Sequence, residues 1–212
     1  KLMVPENRAK PDGRHIELNL AVVRSDAAVA KPDMVVMLAG GPGQAATRDF
    51  ADARWYRGLL RHHNVLLLDQ RGTGESHPLD CPGVEAALKK NAAASDSLDP
   101  AEIRKNVADC LAEVQQHADP RFYTTTDAVA DLEAVRQALG APPLDLIGVS
   151  YGTRVAQQYL RAHPDGVRSV VLDSPVPHQV ILVEDFAANL ESALQPDSAD
   201  CLQAPERPPR FG

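Results

Sequence analysis

The composition of this chain is that of an ordinary globular protein. Of its 212 residues, 44% are hydrophobic and 24% are charged, and these shares fit one domain with a substantial core. The formal net charge of −7 and the lack of basic runs in the sequence argue against a nucleic-acid partner. A membrane partner is not expected either, because no apolar run approaches the length of a membrane-spanning helix.

The first part of the chain predicts strands separated by loops. Residues 1–14 are polar and include no apolar signal segment, so we expect that any export signal was removed or never existed. Residues 15–23 alternate apolar and polar side chains, which predicts an antiparallel edge strand. The apolar runs at residues 34–38 and 64–69 predict strands covered on both faces. Apolar residues at helical spacing over residues 50–60 predict a helix between those strands.

The rest of the chain alternates helix and strand. Helices are predicted over residues 99–116, 127–139 and 183–194, and strands over residues 144–147 and 167–173. Asp99 and Pro100 form a strong helix start, and Thr126 is predicted to cap the second helix. This alternation predicts an α/β fold, with a mostly parallel sheet and helices on both faces. In such sheets, ligands bind at the carboxyl ends of the strands.

A Gly-x-Ser-x-Gly motif, formed by Gly148, Ser150 and Gly152, stands between a predicted strand and an amphipathic segment. A sharp strand-to-helix turn leaves no room for side chains two residues before and after the serine, which explains both glycines. The turn holds the Ser150 hydroxyl above the sheet, at a helix N-terminus that favours negative charge. The motif also arises by chance in loops, but its context here indicates a nucleophile.

Two further loops follow predicted strands, at residues 40–44 and 70–76. The first is rich in glycine, which permits close approach by another group, although it is also compatible with a plain strand-to-helix turn. For Asp69 and Arg71, which flank the start of the second loop, we expect an ion pair that pins loops rather than contact with substrate. The convergence of these loops with Ser150 predicts a site at one edge of the sheet.

Three cysteines make an odd count. A bridge between Cys81 and Cys110 would close a loop of about 30 residues and stabilise the fold by roughly 3 to 4 kcal/mol. Two unpaired buried thiols in a cytosolic protein are the alternative, and the spacing leaves both open. Cys201 has no obvious partner. None of the three lies beside a histidine at metal-ligand spacing, so we expect no metal site and no cofactor.

Taken together, the motifs at residues 40–43, 69–76 and 148–152 resemble the α/β-hydrolase superfamily. More narrowly, they resemble the proline iminopeptidases and the secreted tripeptidyl aminopeptidases, and the likeness covers roughly residues 4–177. Ala39 stands where members usually have histidine, a departure common in the tripeptidyl branch. That branch also tends to carry a cysteine pair placed like Cys81 and Cys110. The resemblance therefore favours a disulfide and a periplasmic or secreted location, with a cytoplasmic location as the alternative.

The resemblance also implies a mechanism. Ser150 would attack an acyl carbon, and the backbone amides of Tyr151 and Gly41 would form the oxyanion hole, since Pro42 has no N–H. The expected activity is that of a serine hydrolase removing N-terminal residues or short peptides. An esterase acting on a small acyl substrate and a non-catalytic, truncated binding domain are the alternatives.

The catalytic acid and base are the missing parts of this prediction. In this fold both follow the nucleophile along the chain, and the histidines after Ser150 are His163, at a helix end, and His178, with no strand to position it. A dyad of Asp173 and His178 is a poor substitute. We therefore expect residues 1–178 to be the N-terminal part of a hydrolase core that is incomplete at its C-terminal side. Residues 179–212 would begin a helical cap or a disordered tail, with the acid and base outside this chain.

Overall fold

The computed structural model describes residues 1–86, 100–181, 189–192 and 194. The chain divides into a compact unit, Lys1–Pro175, and a second unit, Val176–Gly212. Most of the helix predicted over residues 183–194 lies outside the described residues, and so do Cys201 and the predicted tail. The domain boundary after residue 178 remains a prediction.

A five-stranded sheet forms the centre of the first unit. Its strands are β3 (Leu20–Val23), β4 (Met34–Leu38), β5 (Asn64–Leu68), β6 (Leu144–Val149) and β7 (Val167–Asp173), in the order β3-β5-β4-β6-β7. The four strands from β4 to β7 run parallel, and β3 runs antiparallel to β5 at one end. The predicted, mostly parallel sheet is confirmed.

Helices cover both faces of this sheet. The helices of the first unit include α1 (Ala46–Asp49), α2 (Arg57–Leu60), α3 (Pro100–Val114), α4 (Thr125–Ala138) and α5 (Tyr151–Ala162). Of these, α1 and α2 pack on one face of the sheet, α4 and α5 pack on the other, and α3 packs in a separate small core. One core joins alternate strand residues such as Leu66 and Leu146 to the apolar faces of α4 and α5. A second core joins the intervening residues, such as Val65, to α1 and α2. Burial on both faces explains why β4 and β5 are apolar at successive positions.

The predicted single strand over residues 15–23 is in fact two strands. Residues His15–Leu18 form β2, which pairs with an unpredicted strand, β1 (Leu2–Pro5), in a separate antiparallel sheet. The chain changes sheets at Asn19, whose N–H donates to Ser76 Oγ at 2.7 Å and whose carbonyl accepts from the Asp69 N–H at 3.1 Å. These bonds to a distant loop interrupt the strand, and the local alternation of side chains does not reveal them.

Two helix predictions also needed correction. The segment over residues 50–60 is broken, with a 3₁₀ turn at Ala53–Trp55 before α2, and the Asp52 side chain accepts the Arg54 N–H at 3.0 Å. The cap of α4 is Thr124 rather than Thr126, because Thr124 and Asp127 exchange hydrogen bonds in a reciprocal capping box. An aspartate three residues after Thr124 is the signal for this earlier start.

Cys81 and Cys110 form a disulfide, with their Cα atoms 5.3 Å apart. The bridge predicted from the resemblance is therefore present, and it ties α3 to the loop that follows β5. The sulfur of Cys81 lies in a small core with Val114 and Ala118. Among the described residues, no helix combines the length and apolarity needed to span a membrane.

Candidate active site

Ser150 occupies a sharp turn between β6 and α5. Its backbone has φ 53° and ψ −119°, a conformation that costs a non-glycine residue about 1 to 3 kcal/mol. Surrounding bonds hold it there: the Ser150 N–H donates to the Asp173 carbonyl at 2.9 Å, and the Ser150 carbonyl accepts from Thr153 N–H at 2.9 Å and Oγ1 at 2.6 Å. The fold thus maintains strain at the residue that the motif singles out.

The two motif glycines permit this turn because backbone atoms occupy the space of a side chain. A Cβ on Gly148 would lie 2.6 Å from the Gly152 carbonyl oxygen. A Cβ on Gly152 would lie 2.1 Å from the carbonyl oxygen of Leu38, at the end of the neighbouring strand β4. Both distances are far below van der Waals contact, so each position accepts glycine alone.

The glycine-rich loop at residues 40–44 packs directly against the serine. A Cβ on Gly40 would lie 3.2 Å from the Ser150 Cβ and 2.8 Å from Gln44 Oε1. Gly41 follows with φ +101°, and the Gly41–Pro42 peptide bond is cis. Tyr151 is the first residue of α5, and an amide at that position has no acceptor within its own helix. The loop and the helix start therefore meet at Ser150, and the close approach predicted for this glycine-rich loop occurs at Gly40.

A cavity of about 160 Å³ lies beside this turn, lined by Gly43, Tyr151, Leu79 and Tyr123 among others. The Tyr151 hydroxyl lies 2.7 Å from Thr125 Oγ1, which fixes the direction of its ring. Leu79 and Tyr123 were not singled out from the sequence, because neither belongs to a motif. Proximity in the fold is what makes them part of the cavity wall.

Asp69 is buried beneath the site and organises two loops. Its carboxylate accepts from Thr47 N–H and Oγ1, both at 2.8 Å, and from Asn19 Nδ2 at 3.0 Å. A Cβ on Gly74 would lie 2.5 Å from Asp69 Oδ2, so the loop over residues 70–76 folds tightly around the carboxylate. Asp69 thus fixes the start of α1 and this loop.

Arg71 forms an ion pair with Asp131 of α4. The sequence prediction of an ion pair between Asp69 and Arg71 is therefore wrong about the partner of Arg71. Arg71 Nε and Nη2 each donate to Asp131 at 2.6 Å, and Nη1 donates to the carbonyls of Glu6 at 2.9 Å and Phe122 at 2.6 Å. Burial acts to lower the pKa of Arg71, but Asp131 overrides it and raises the pKa. An aspartate on the apolar stripe of α4 is the sequence signal that was available, since a buried acid needs a cation.

The residues considered as acid or base do not complete a triad in the first unit. His163 follows the C-terminal end of α5, which at 12 residues places it about 18 Å along the helix axis from Ser150. The ring of His163 packs on Tyr159, with centroids 5.2 Å apart. Asp173 bonds Ser150 through its backbone carbonyl while its side chain is exposed. His178 belongs to the second unit.

A separate polar cluster lies at the opposite edge of the sheet, where β4, β5 and β6 begin. Donor atoms of Asp33, His63 and Asp145 lie within 4.8 Å of one another, a spacing that a metal ion could use. Arg168, however, contacts both Asp33, at 2.9 Å, and Asp145. Because its guanidinium already supplies the positive charge, we interpret the cluster as an ion-pair network.

Residues 33–206 match the sequence profile of the family described as alpha/beta hydrolase fold. The chain belongs to this family. Two solved α/β structures support the same fold: proline iminopeptidase from Mycobacterium smegmatis and a marine microorganism esterase, each with a TM-score of 0.50. The iminopeptidase is 20% identical in sequence, and the match covers 80% of this chain and 42% of the iminopeptidase. The esterase is 16% identical, and the match covers 84% of this chain and 49% of the esterase.

Several curated relatives of this α/β hydrolase carry peptidase names. Tripeptidyl aminopeptidase of Streptomyces lividans is 30% identical over 82% of this chain and 34% of its own length. Proline iminopeptidase of Aeromonas sobria is 31% identical over 67% of this chain and 28% of its own length. Serine protease Hip1 of Mycobacterium tuberculosis is 28% identical over 96% of this chain and 41% of its own length. The chain thus spans between 28% and 41% of the length of these relatives.

Proposed function

We propose that this chain carries the nucleophile and oxyanion hole of a serine hydrolase of the aminopeptidase type. The observation that carries the proposal is the strained backbone of Ser150, held between two glycines whose missing side chains make room for the neighbouring backbone. A strained, partly exposed serine at a strand-to-helix turn is the arrangement that acyl transfer in this fold requires.

In the proposed reaction, the Ser150 hydroxyl attacks the carbonyl carbon of the scissile amide. The amides of Tyr151 and Gly41 stabilise the resulting oxyanion, and loss of one such donor costs about 3 kcal/mol of transition-state stabilisation. The tetrahedral intermediate then collapses, which re-forms the carbonyl, breaks the C–N bond and releases the amine with the proton that the base took from Ser150; water hydrolyses the remaining acyl-enzyme. The acid and the histidine base that this cycle needs are proposed to lie in a longer protein.

Peptides are the substrate we propose, because three of the curated relatives are named tripeptidyl aminopeptidase, proline iminopeptidase and serine protease Hip1. The esterase among the solved structures keeps small acyl esters as the second candidate. The Cys81–Cys110 disulfide supports a periplasmic or secreted location, because such bonds persist in oxidising compartments.

The decisive experiment is labelling with a fluorophosphonate, which reacts with activated serines. We expect the full-length protein to be labelled at Ser150 and to hydrolyse N-terminal chromogenic amides, whereas Ser150→Ala loses both. Thr153→Ser is a matched control, since its hydroxyl bonds the Ser150 carbonyl but is not the nucleophile. A full-length protein that is folded but unlabelled would favour the non-catalytic alternative. Faster turnover of esters than of amides would favour the esterase.

A further inference from the structure

An apolar groove of about 530 Å³ runs along α3. Its lining includes Leu79, Ile103, Val107, Cys110, Leu111 and Val114. Ile103, Val107 and Leu111 are 41%, 62% and 45% exposed, and their four-residue spacing aligns them on one helix face. An exposed apolar patch of this kind marks a binding surface.

The groove adjoins the cavity beside Ser150. Leu79 lines both spaces. Tyr123 lines the smaller cavity and packs against the core of Cys81 and Val114 that underlies the groove. A Cβ on Gly72 would lie 2.9 Å from Tyr123 Cδ1 and 3.3 Å from Leu79 Cγ, so glycine at this position lets both side chains close over the loop. Leu79 and Tyr123 therefore form a shared apolar wall.

We propose that the groove is a subsite for apolar side chains in the acyl portion of the substrate peptide, an inference that rests on the proposed function of Ser150. The acyl portion stays at the serine through both steps, so a subsite that shares Leu79 with the cavity beside that serine can act on each. Asn106 supplies the only polar side chain among the described lining residues, and none of them is charged. The volume is within the range of ligand pockets, and the disulfide at Cys110 holds α3 in place.

The test compares two chromogenic amides that share the residue at the scissile bond, Leu-Leu-Ala p-nitroanilide and Gly-Gly-Ala p-nitroanilide. For the full-length protein we expect kcat/KM to favour the leucine substrate by about tenfold or more. Val107→Asp and Ile103→Asp place a carboxylate on the groove, and each should reduce this ratio toward one. Both side chains are exposed, so thermal unfolding should show folded proteins.

Ala112→Asp is the matched control, because Ala112 is exposed on the same helix and does not line the groove. It should keep the substrate preference. An unchanged ratio in both groove variants would overturn the subsite. So would a dimer that Val107→Asp converts to monomer without any change in the ratio, since the groove would then bind a second copy. The subsite would also be overturned if the groove variants changed only the preference for p-nitrophenyl octanoate over p-nitrophenyl acetate, because the groove would then bind a fatty acyl chain.

A binding measurement separates this inference from the catalytic proposal. In the Ser150→Ala background, calorimetry should detect the peptide Leu-Leu-Ala, and Val107→Asp should weaken its affinity by about tenfold. If Val107→Asp weakens peptide binding but the parent protein is not labelled at Ser150, the groove is supported and the nucleophile is refuted. If Ser150 is labelled but Val107→Asp leaves peptide affinity unchanged, the nucleophile is supported and the groove is refuted.

Discussion

The edge of the sheet where the parallel strands end, the carboxyl edge, differs from the amino edge, where they begin. At the carboxyl edge backbone packs against backbone, whereas at the amino edge charged side chains meet. The carboxyl edge depends on missing side chains, since a Cβ on Gly152 would collide with Leu38. The amino edge depends on side chains that are present, with Arg168 between Asp33 and Asp145. Both edges belong to the same four parallel strands, so the sheet itself does not set the difference.

The backbone dihedral angles show the same contrast. Among the described residues, the three non-glycine residues with positive φ are His77, Ser150 and Ser174, and each lies beyond the carboxyl end of a parallel strand. A rigid sheet can maintain conformations that a free loop would relax, and under the proposed function the strain at Ser150 lies where the nucleophile is held. At the amino edge, the pairing of Arg168 with Asp33 and Asp145 holds the chain instead.

Gly152→Ala should show the largest effect. The added Cβ must displace the Leu38 carbonyl, so we expect a loss of about 3 kcal/mol in the free energy of unfolding. Chemical denaturation of the chain measures it. Gly58→Ala is the control, since a Cβ there meets no heavy atom within 4 Å, and it should be neutral or slightly stabilising. Equal stability of the two variants would mean that the turn is not tightly packed.

Asp145→Asn tests the amino edge. Asp145 accepts from Arg168 and from Ser169 Oγ at 2.5 Å. We expect a loss of about 1 to 2 kcal/mol, because the interaction involves charge but Arg168 is half-exposed. The labelling rate of Ser150 in the full-length protein should stay within about twofold of the parent. A large drop in labelling would show that the two edges are coupled.

Ser150→Gly should stabilise the protein. Glycine adopts the observed backbone angles without strain, and after the entropy it adds to the unfolded chain we expect a net gain of about 1 kcal/mol. Ser150→Ala keeps the Cβ and should show no such gain, although both variants lose fluorophosphonate labelling. Differential scanning calorimetry compares them. If alanine stabilises as much as glycine, then the serine hydroxyl rather than backbone strain is the unfavourable group.

The smallest effect is a pH dependence at the amino edge. Burial raises the pKa of Asp33, but its hydrogen bonds and the charges of His63 and Arg168 together lower it below the ordinary value. His63 Nδ1 lies 2.8 Å from Asp33 Oδ2 without hydrogen-bond geometry, so this contact is electrostatic. A lowered pKa in the folded state means that the charged form contributes stability above about pH 4 and that this contribution is lost on acidification.

Asp33→Asn should therefore lose less stability than the parent when the pH falls from 5 to 3. Thermal unfolding at several pH values measures the difference. Asp12→Asn, at an exposed position near the N-terminus, should follow the parent curve. Parallel curves for the parent and Asp33→Asn would show that the carboxyl does not contribute in this way.

Local sequence patterns were sufficient for much of this fold. The strand over residues 167–173 and the helix after Ser150 have the predicted positions, because periodicity and flanking glycines act within a few residues. The collision at position 148 is with Gly152 and follows from the same short-range geometry, whereas the collision at position 152 is with Leu38 of the neighbouring strand and depends on the tertiary structure. The disulfide could be expected only from the family resemblance, since spacing left it open.

Contacts between distant parts of the chain were decided by the tertiary structure. Arg71 and Asp131 are 60 residues apart, and Asn19 ends a strand because of a serine 57 residues away. The shared wall of Leu79 and Tyr123 likewise exists because separate loops close over Gly72. A linear pattern records which residues prefer burial or a turn, but not which of them meet, because that choice depends on the packing of the whole sheet.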